Sequence, residues 1–317
     1  MPLLPLARMS AFLTCPRCKA VLVASEPRLR CARSDCDYSS SEGFPQVDQW
    51  PVLVDFTTSV LDLDAMIATR AQSILPRGGR RRLIETLKDA LFAPNSVAGH
   101  NFERLKCELP QGDRSRVLII GGGRVGNGAE VLYEDEMIDL IAFDIYGSPS
   151  VQFIADGHQI PLADGSVDAV VIQAVLEHVL DPTKVVAEIH RVLSPDGIVY
   201  AETPFLQQVH EGPYDFSRYT ESGHRYLFRK FTLLDSGIIG GPGTQLLWTI
   251  DHVARGVFRS RVAGAVAKAL FFWVRGLDRL CAYPYAVDCA SGCYFLGRRS
   301  EREMTPREII QHYRGAQ

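Results

Sequence analysis

Apolar and polar positions alternate in blocks between residues 115 and 203. The apolar blocks are RVLIIG, IDLIAFDIY, VQFIAD, SVDAVVIQAV and GIVYAETP. DPTKVVAEIHRVL, between the last two blocks, has the spacing of an amphipathic helix, with Asp181 and Pro182 suited to its N-cap and first turn. Ser194-Pro195-Asp196-Gly197 then predicts a turn. This alternation predicts an α/β fold with a doubly wound parallel sheet, whose ligands bind at the carboxyl ends of the strands.

Helical patterns flank this region on both sides. LDLDAMIATRAQSIL and RRLIETLKDALF have apolar residues spaced by three and four, and PRGG at residues 76–79 separates them. After Pro204, GHRYLFRKFTLLDSG predicts a helix and then a strand, and CASGCYFLGRR predicts a last strand. Residues 246–281 are apolar and helical in pattern. We therefore expect a helical connector or lid before the sheet and a helical extension after it.

Four of the eight cysteines lie close together near the N-terminus. Cys15 and Cys18 form a C-x2-C pair, and Cys31 and Cys36 form a C-x4-C pair after a gap of 12 residues. Two such pairs can place four thiolates tetrahedrally around one structural zinc ion. FPQVDQWPVLVDF predicts strands that close this module. The expected division is a zinc-ribbon-like module at 1–58, a helical connector at 59–114 and the sheet domain at 115–317, with a helical insertion at about 246–281.

Charge is unevenly distributed along the 317 residues. Residues 117–224 carry four basic and 17 acidic side chains, a net charge of −13, although the whole chain has a net charge of only −3. This acidic middle disfavours a nucleic-acid track across it, although the basic cluster at residues 80–82 could contact phosphates. No apolar run reaches the roughly 18 residues of a spanning helix. We read no signal peptide at the N-terminus, and we expect a cytoplasmic protein.

The stretch VLIIGGGRVGNG, at residues 117–128, is a buried strand that runs into a glycine cluster. Gly121, Gly122 and Gly123 allow the backbone to approach a nucleotide-like ligand closely. Asp144 ends the next strand, 21 residues after Gly123, where a carboxylate can accept hydrogen bonds from both ribose hydroxyls. These features suit NAD and S-adenosylmethionine equally, so they leave the cofactor open.

Three downstream pieces resemble the class I S-adenosylmethionine-dependent methyltransferases. They are ADGHQIPLADGSVDAV, VLEHVLDP and EIHRVLSPDG, and the resemblance covers about residues 115–235. It implies a Rossmann-like methyltransferase fold and a carboxylate at Asp156 that bonds the adenine amino group. The remaining residues that it implies for the cofactor site are Ile145, Gly157, His158, Gln173 and Ala174.

The glycine loop departs from the pattern of that family. The family loop has an acid two residues before G-x-G-x-G, whereas Ile119 stands at the acid position here. Val125 stands at the third glycine position, and Gly126 follows one residue late. Loss of a charged hydrogen bond weakens binding by about 1–3 kcal/mol. We expect a modified but working cofactor site; the alternative is a non-catalytic scaffold with a decayed loop.

The loop after the fifth strand, PFLQQVHEGPYDFSRYT, carries the candidate catalytic groups. His210 is the first choice for a base that takes a proton from a hydroxyl acceptor, because the pKa of histidine lies near neutrality. His178, in the L-E-H signature, is a second candidate, whereas Asp215 and Arg218 are expected to form an ion pair that holds the loop. The loop resembles that of bacterial methyltransferases of glycan or secondary-metabolite pathways.

This likeness favours O-methylation of a small molecule or a glycan hydroxyl, in a possible homodimer. An RNA acceptor is the alternative, because an N-terminal four-ligand zinc module is similar to that of ribosomal RNA guanine methyltransferases. The fifth strand ends in ETPF rather than in an N-P-P-Y-type loop, which argues against RNA.

Overall fold

The computed structural model describes residues 3–25, 28–72 and 96–317. The chain forms two units, one of Met1–Gln173 with Asp181–Val199 and one of Ala174–Leu180 with Tyr200–Gln317. The predicted second connector helix, the break at 76–79 and the basic cluster at 80–82 lie outside the described residues.

Short elements precede the main sheet of the first unit. They are β1 (Leu22–Ser25), β2 (Arg28–Cys31), β3 (Gln46–Val47), β4 (Trp50–Leu53), α1 (Leu63–Ala68) and α2 (Ser96–Glu108). Strands β1 and β2 pair antiparallel, with Leu22 opposite Cys31. The Asp62 carboxylate caps α1 by accepting the Ala65 N–H at 2.8 Å.

The predicted parallel strands are present in the first unit. The next elements are β5 (Ser115–Ile120), α3 (Glu130–Tyr133), β6 (Ile138–Asp144), β7 (Phe153–Ala155), β8 (Val167–Gln173) and α4 (Pro182–Val192). Within this unit the strand order is β3-β4-β7-β6-β5-β8, and the pairs of β5 with β6, β5 with β8 and β6 with β7 are parallel. Asp181 caps α4 as predicted, because its carboxylate accepts the Lys184 N–H at 3.1 Å. The predicted α/β class is confirmed.

Strand β4 differs from its predicted role of closing the cysteine module. It pairs parallel with β7, with Val52 opposite Ile154 and Leu53 opposite Ala155. Its Val52 and Leu53 side chains are fully buried, which is the environment of a strand inside an α/β sheet. The residues that follow β4 therefore lie at the same sheet edge as the carboxyl end of β7.

Strand β9 (Leu193–Pro204) starts in the first unit and ends in the second. We predicted a turn at residues 194–197 and a strand only after it, but the strand already begins at Leu193. The aromatic ring of Tyr200 is completely buried, as expected for the apolar half of this segment.

The second unit is rich in helices. Its elements are α5 (Glu221–Leu227), β10 (Phe231–Gly240), α6 (Pro242–Phe258), α7 (Arg261–Leu270), α8 (Tyr283–Asp288), β11 (Gly292–Arg299) and α9 (Pro306–His312). Strands β10 and β11 pair antiparallel, and the rings of Phe228 and Phe295 stack at 4.8 Å to form part of the core. The predicted helical extension begins earlier, at Pro242, and a 3₁₀ helix at Phe272–Arg279 ends it. Among the described residues, no helix has both the length and the apolar character needed to cross a membrane.

Candidate functional site

The glycine loop after β5 passes close to the neighbouring strand β6. The N–H groups of Gly121 and Gly122 both donate to the Phe143 carbonyl, at 3.0 and 2.9 Å. Gly121 has a φ of +79°, which a glycine adopts without strain. A Cβ on Gly122 would lie 2.9 Å from the Cβ of Ala142. Both glycines are therefore required by the path of the backbone itself.

Asp144 joins the loop to the end of β6. Its carboxylate accepts the Gly123 N–H at 2.8 Å and the Ile145 N–H at 2.7 Å. The Asp144 side chain is buried, whereas Ile145 is 44% exposed and offers an apolar face beside the acid. The structure therefore brings Gly123, Asp144 and Ile145 together, as expected for a ribose and adenine subsite.

The displaced glycine, Gly126, has a packing role. The side chain of Gln173, at the end of β8, fills the space beside it, so that a Cβ on Gly126 would lie 1.9 Å from the Gln173 Oε1. The Gln173 amide also donates to the Asn127 carbonyl at 3.1 Å. The third glycine of the loop stands one residue later than in the family pattern. At this later position, the absence of a side chain leaves room for Gln173.

Ile119 occupies the position at which the family carries an acid. It lies in the middle of β5, opposite Ala142 on one side and Val171 on the other, and it is buried. An ionised carboxylate without partners is costly in such surroundings. The site therefore lacks this anionic group.

Asp156, after β7, is held by a dense hydrogen-bond network. Its carboxylate accepts the His158 N–H at 2.9 Å, the His158 Nδ1–H at 2.6 Å and the Ser59 hydroxyl at 2.5 Å. The Asp181 N–H donates to the His158 Nε2 at 3.1 Å, which assigns the proton of the imidazole to Nδ1. Burial opposes ionisation of Asp156, but these hydrogen bonds outweigh it and keep its pKa below the usual range. Gly157 is buried beside this carboxylate.

Ser59 is a member of this network that the sequence analysis missed. It follows β4, and the parallel pairing of β4 with β7 brings it to Asp156. Its neighbour Thr58 accepts a hydrogen bond from the Gln159 side chain at 2.6 Å. Only the apolar run WPVLV, if read as a strand of the sheet, could have indicated this contribution.

The four N-terminal cysteines converge as predicted. Their sulfur atoms all lie within 4.8 Å of one another, with 3.8 Å between Cys15 and Cys36 and 3.4 Å between Cys18 and Cys31. Sulfur atoms around a tetrahedral zinc ion lie about 3.8 Å apart, since each Zn–S bond is about 2.3 Å. The Arg33 N–H also points at the Cys31 sulfur, at 3.4 Å. The residues fit a zinc ion in position and in chemistry.

Ala174 follows β8 and has a left-handed backbone conformation, with a φ of +54°. Its N–H donates to the Glu202 carbonyl at 3.0 Å, which holds this turn in place. Such a conformation costs a residue with a side chain about 1–3 kcal/mol and is often found at functional sites.

The two candidate histidines lie in the second unit, and the structure brings them together around Glu177. The Nε2 atoms of His178 and His210 are 3.2 Å apart, and both face the Glu177 Oε1, at 3.6 and 3.8 Å. Glu177 is completely buried, and burial raises its pKa to about 8. Burial also lowers the pKa of His178. From the sequence, Glu177 was expected only to be a structural or pocket-wall residue of the L-E-H signature.

Asp215 and Arg218 form the predicted ion pair that holds the loop. The Arg218 guanidinium bonds both oxygens of Asp215 and also donates to the Gln207 carbonyl at 2.9 Å. Burial opposes the charge on Asp215, but Arg218 and the His210 N–H lower its pKa to about 2. This pair fixes the backbone that carries His210.

Comparisons with known proteins agree with this geometry. Residues 123–201 match the model of a methyltransferase domain. A demethylmenaquinone methyltransferase from Renibacterium salmoninarum is 38% identical over 98 residues, which are 27% of this chain and 40% of that protein. A 37.1 kDa transposon protein from Streptomyces fradiae is 40% identical over 63 residues, which are 20% of this chain and 18% of that protein. The chain thus spans less than half the length of either relative.

Among solved structures, a protein described as a sarcosine dimethylglycine methyltransferase from Galdieria sulphuraria has a TM-score of 0.43 at 15% identity. The match covers 65% of this chain and 85% of that one. The methyltransferase-domain match over residues 123–201, the parallel sheet and the glycine loop joined to Asp144 agree with the resemblance to the class I S-adenosylmethionine-dependent methyltransferases.

Proposed function

We propose that the protein transfers a methyl group from S-adenosylmethionine to a hydroxyl of a small molecule or a glycan. The observation that carries cofactor binding is the bond between the Gly123 N–H and Asp144. This bond holds the loop and the carboxylate together at the carboxyl end of the sheet, where such ligands bind. Asp156, His158 and Ile145 would surround the adenine, and Gln173 and Ala174 would lie near the methionine part.

When bound, S-adenosylmethionine would supply an electrophilic methyl group on a positively charged sulfur, which would leave with its electron pair as an acceptor oxygen bonded the methyl carbon. The protein therefore mainly holds the acceptor in line and removes the hydroxyl proton. The cluster of His178, His210 and Glu177 is the part of the second unit whose chemistry suits that proton, because it combines two imidazoles with a carboxylate.

The four cysteines are proposed to hold one structural zinc ion. The sulfur distances and the Arg33 N–H support this, and four sulfur ligands leave no open position for chemistry. The zinc would stabilise the turn between Cys15 and Cys18 and the β1–β2 hairpin.

An assay for S-adenosylhomocysteine tests the proposed acceptor. The protein is incubated with S-adenosylmethionine, at a concentration near its wild-type Kd, and a panel of small-molecule hydroxyls, glycans, and ribosomal and transfer RNA, and Asp144→Ala serves as the weak-binding control. We expect turnover with a hydroxyl compound that is slower by about 10-fold or more in Asp144→Ala. Turnover with RNA alone would overturn the acceptor class, and cofactor binding without turnover on any acceptor would favour a scaffold.

A further inference from the structure

The carboxyl group of Glu177 is buried, and both of its oxygens have unused bonding capacity. Neither of its oxygens has a hydrogen-bond partner among the described residues, although the side chain is fully buried. A buried carboxylate without partners is strongly unfavourable. Its backbone is nevertheless well fixed, because the Glu177 carbonyl accepts the Phe216 N–H at 2.8 Å. The fold therefore fixes the backbone of Glu177 and leaves both carboxylate oxygens available to bind a ligand.

His178 presents a lone pair to the same point. Its Nδ1 lies 2.8 Å from the Tyr214 carbonyl, which can only accept, so the Nδ1 carries the proton. The Nε2 of the neutral ring is then an acceptor, and it faces Glu177 and His210. A backbone carbonyl on the distal nitrogen is a common partner of metal-binding histidines.

His210 has the same arrangement. Its Nδ1 lies 3.4 Å from both the Asp215 Oδ2 and the Gln208 carbonyl, and its Nε2 faces His178 and Glu177. A carboxylate behind the distal nitrogen orients a metal-binding histidine and increases its basicity. Both imidazoles thus have their Nδ1 beside an acceptor and their Nε2 aimed at one shared point.

We propose that Glu177, His178 and His210 bind a divalent transition-metal ion. Their three facing atoms are 3.2, 3.6 and 3.8 Å apart. A point about 2.1 Å from all three exists between them, and bonds of zinc to imidazole and carboxylate are about 2.0–2.2 Å long. Such an ion satisfies the orphaned carboxylate and both lone pairs at once.

Two imidazoles and one carboxylate select zinc, iron(II), manganese or cobalt over magnesium, and they leave coordination positions open. The His210 side chain is 31% exposed, so the cluster is accessible to a ligand from solvent. The role of the ion rests on the proposed function. It would bind the acceptor hydroxyl and lower its pKa, so that the proton is released to water, and this role of the ion replaces direct removal of the proton by an imidazole.

Cobalt(II) titration of the full-length protein tests the metal site without cofactor or acceptor. The protein is first loaded with one equivalent of zinc to fill the cysteine cluster, which prefers thiolate-binding ions. Calorimetry and visible absorption then follow Co²⁺. We expect one further equivalent in the wild type and in the control His252→Ala, whose histidine is exposed on α6. We expect binding weakened by more than about 100-fold in His210→Ala and in Glu177→Gln, since even outer partners of a metal site contribute about 10–100-fold.

The outcomes separate this inference from the proposed function. Absence of a second equivalent in the wild type, or equal Co²⁺ binding in wild type and both variants, would overturn the metal site. A parallel S-adenosylmethionine titration in the presence of chelator tests the cofactor site alone. Binding of Co²⁺ without binding of S-adenosylmethionine would contradict the proposed function but support the metal site. Binding of S-adenosylmethionine without binding of Co²⁺ would contradict the metal site but leave the proposed function standing. Circular dichroism confirms that each variant is folded.

Discussion

Individual residues of the candidate cofactor site are held by main-chain geometry as much as by side chains. Gly121 and Gly122 are required where the loop meets β6, and Gly126 leaves the space that Gln173 fills. Ala174 is the exception, because it adopts a left-handed conformation that suits glycine better. The backbone strain is confined to Ala174, so a substitution at this one residue can measure it.

Replacing Ala174 with glycine should therefore stabilise the protein by about 0.5–1 kcal/mol, because the strain of the positive φ is relieved. Urea unfolding measures the change. Ala265→Gly, on the exposed part of α7, is the matched control and should destabilise by about 0.5–1 kcal/mol, since helical backbone there favours alanine. Equal losses in both variants would contradict the interpretation of Ala174 as strained.

Among the elements, α5 packs a histidine into the aromatic core of the second unit. His224 is 1% exposed, and its ring meets that of Phe228 edge to face at 5.2 Å. Its Nε2 has no hydrogen-bond partner among the described residues. Burial therefore lowers the pKa of His224 from 6.5 to about 3.

Because the folded pKa lies below the unfolded one, the unfolded chain takes up this proton first. The effect is small at pH 7 and grows as the pH falls through 6.5 towards 3, reaching about 2 kcal/mol of lost stability at pH 5. His224→Phe should remove that part of the pH dependence, whatever its effect at pH 7. Unfolding free energies at pH 7 and 5 measure it, with exposed His252→Phe as control. An unchanged slope in His224→Phe would contradict the assignment.

An element could be predicted from the sequence when its own residues carry the signal, such as an apolar period or a helix cap. The strands β5 to β8 and the helix α4 were predictable, because each has its own apolar period and α4 has its own cap at Asp181. Strand β4 was not, since a short apolar run suits a module strand and a sheet strand equally well. Ser59 was missed for that reason, and Glu177 was undervalued because its two histidines meet it only through the folded loop.

At the scale of the whole molecule, the first unit combines a parallel sheet, which includes most of the methyltransferase-domain match, with the N-terminal cysteine cluster. Lys19, in the turn after Cys18, donates to Glu188 on α4 at 2.8 Å and to the Ile160 carbonyl at 3.3 Å. Arg191 bonds the same glutamate at 2.8 Å. The turn that carries Cys15 and Cys18 is therefore hydrogen-bonded to α4 through Lys19.

Loss of one cysteine ligand should release the zinc and loosen this connection. We expect Cys36→Ser to bind no stoichiometric zinc and to melt roughly 5–10 °C below the wild type. Cys107→Ser, at an exposed cysteine outside the cluster, is the control and should retain both properties. Elemental analysis and thermal melts measure the two effects. A Cys36→Ser protein with full zinc content and an unchanged melting temperature would contradict the zinc site.

The most direct test of the central claim is calorimetric titration with S-adenosylmethionine and S-adenosylhomocysteine. Wild type is compared with Asp144→Ala and with the control Asp164→Ala, whose carboxylate lies on the surface. We predict micromolar binding by wild type and Asp164→Ala, and binding weaker by about 10–100-fold in Asp144→Ala, the value of a charged hydrogen bond. Absence of binding to wild type at near-millimolar ligand, or equal affinity in Asp144→Ala, would contradict a working cofactor site.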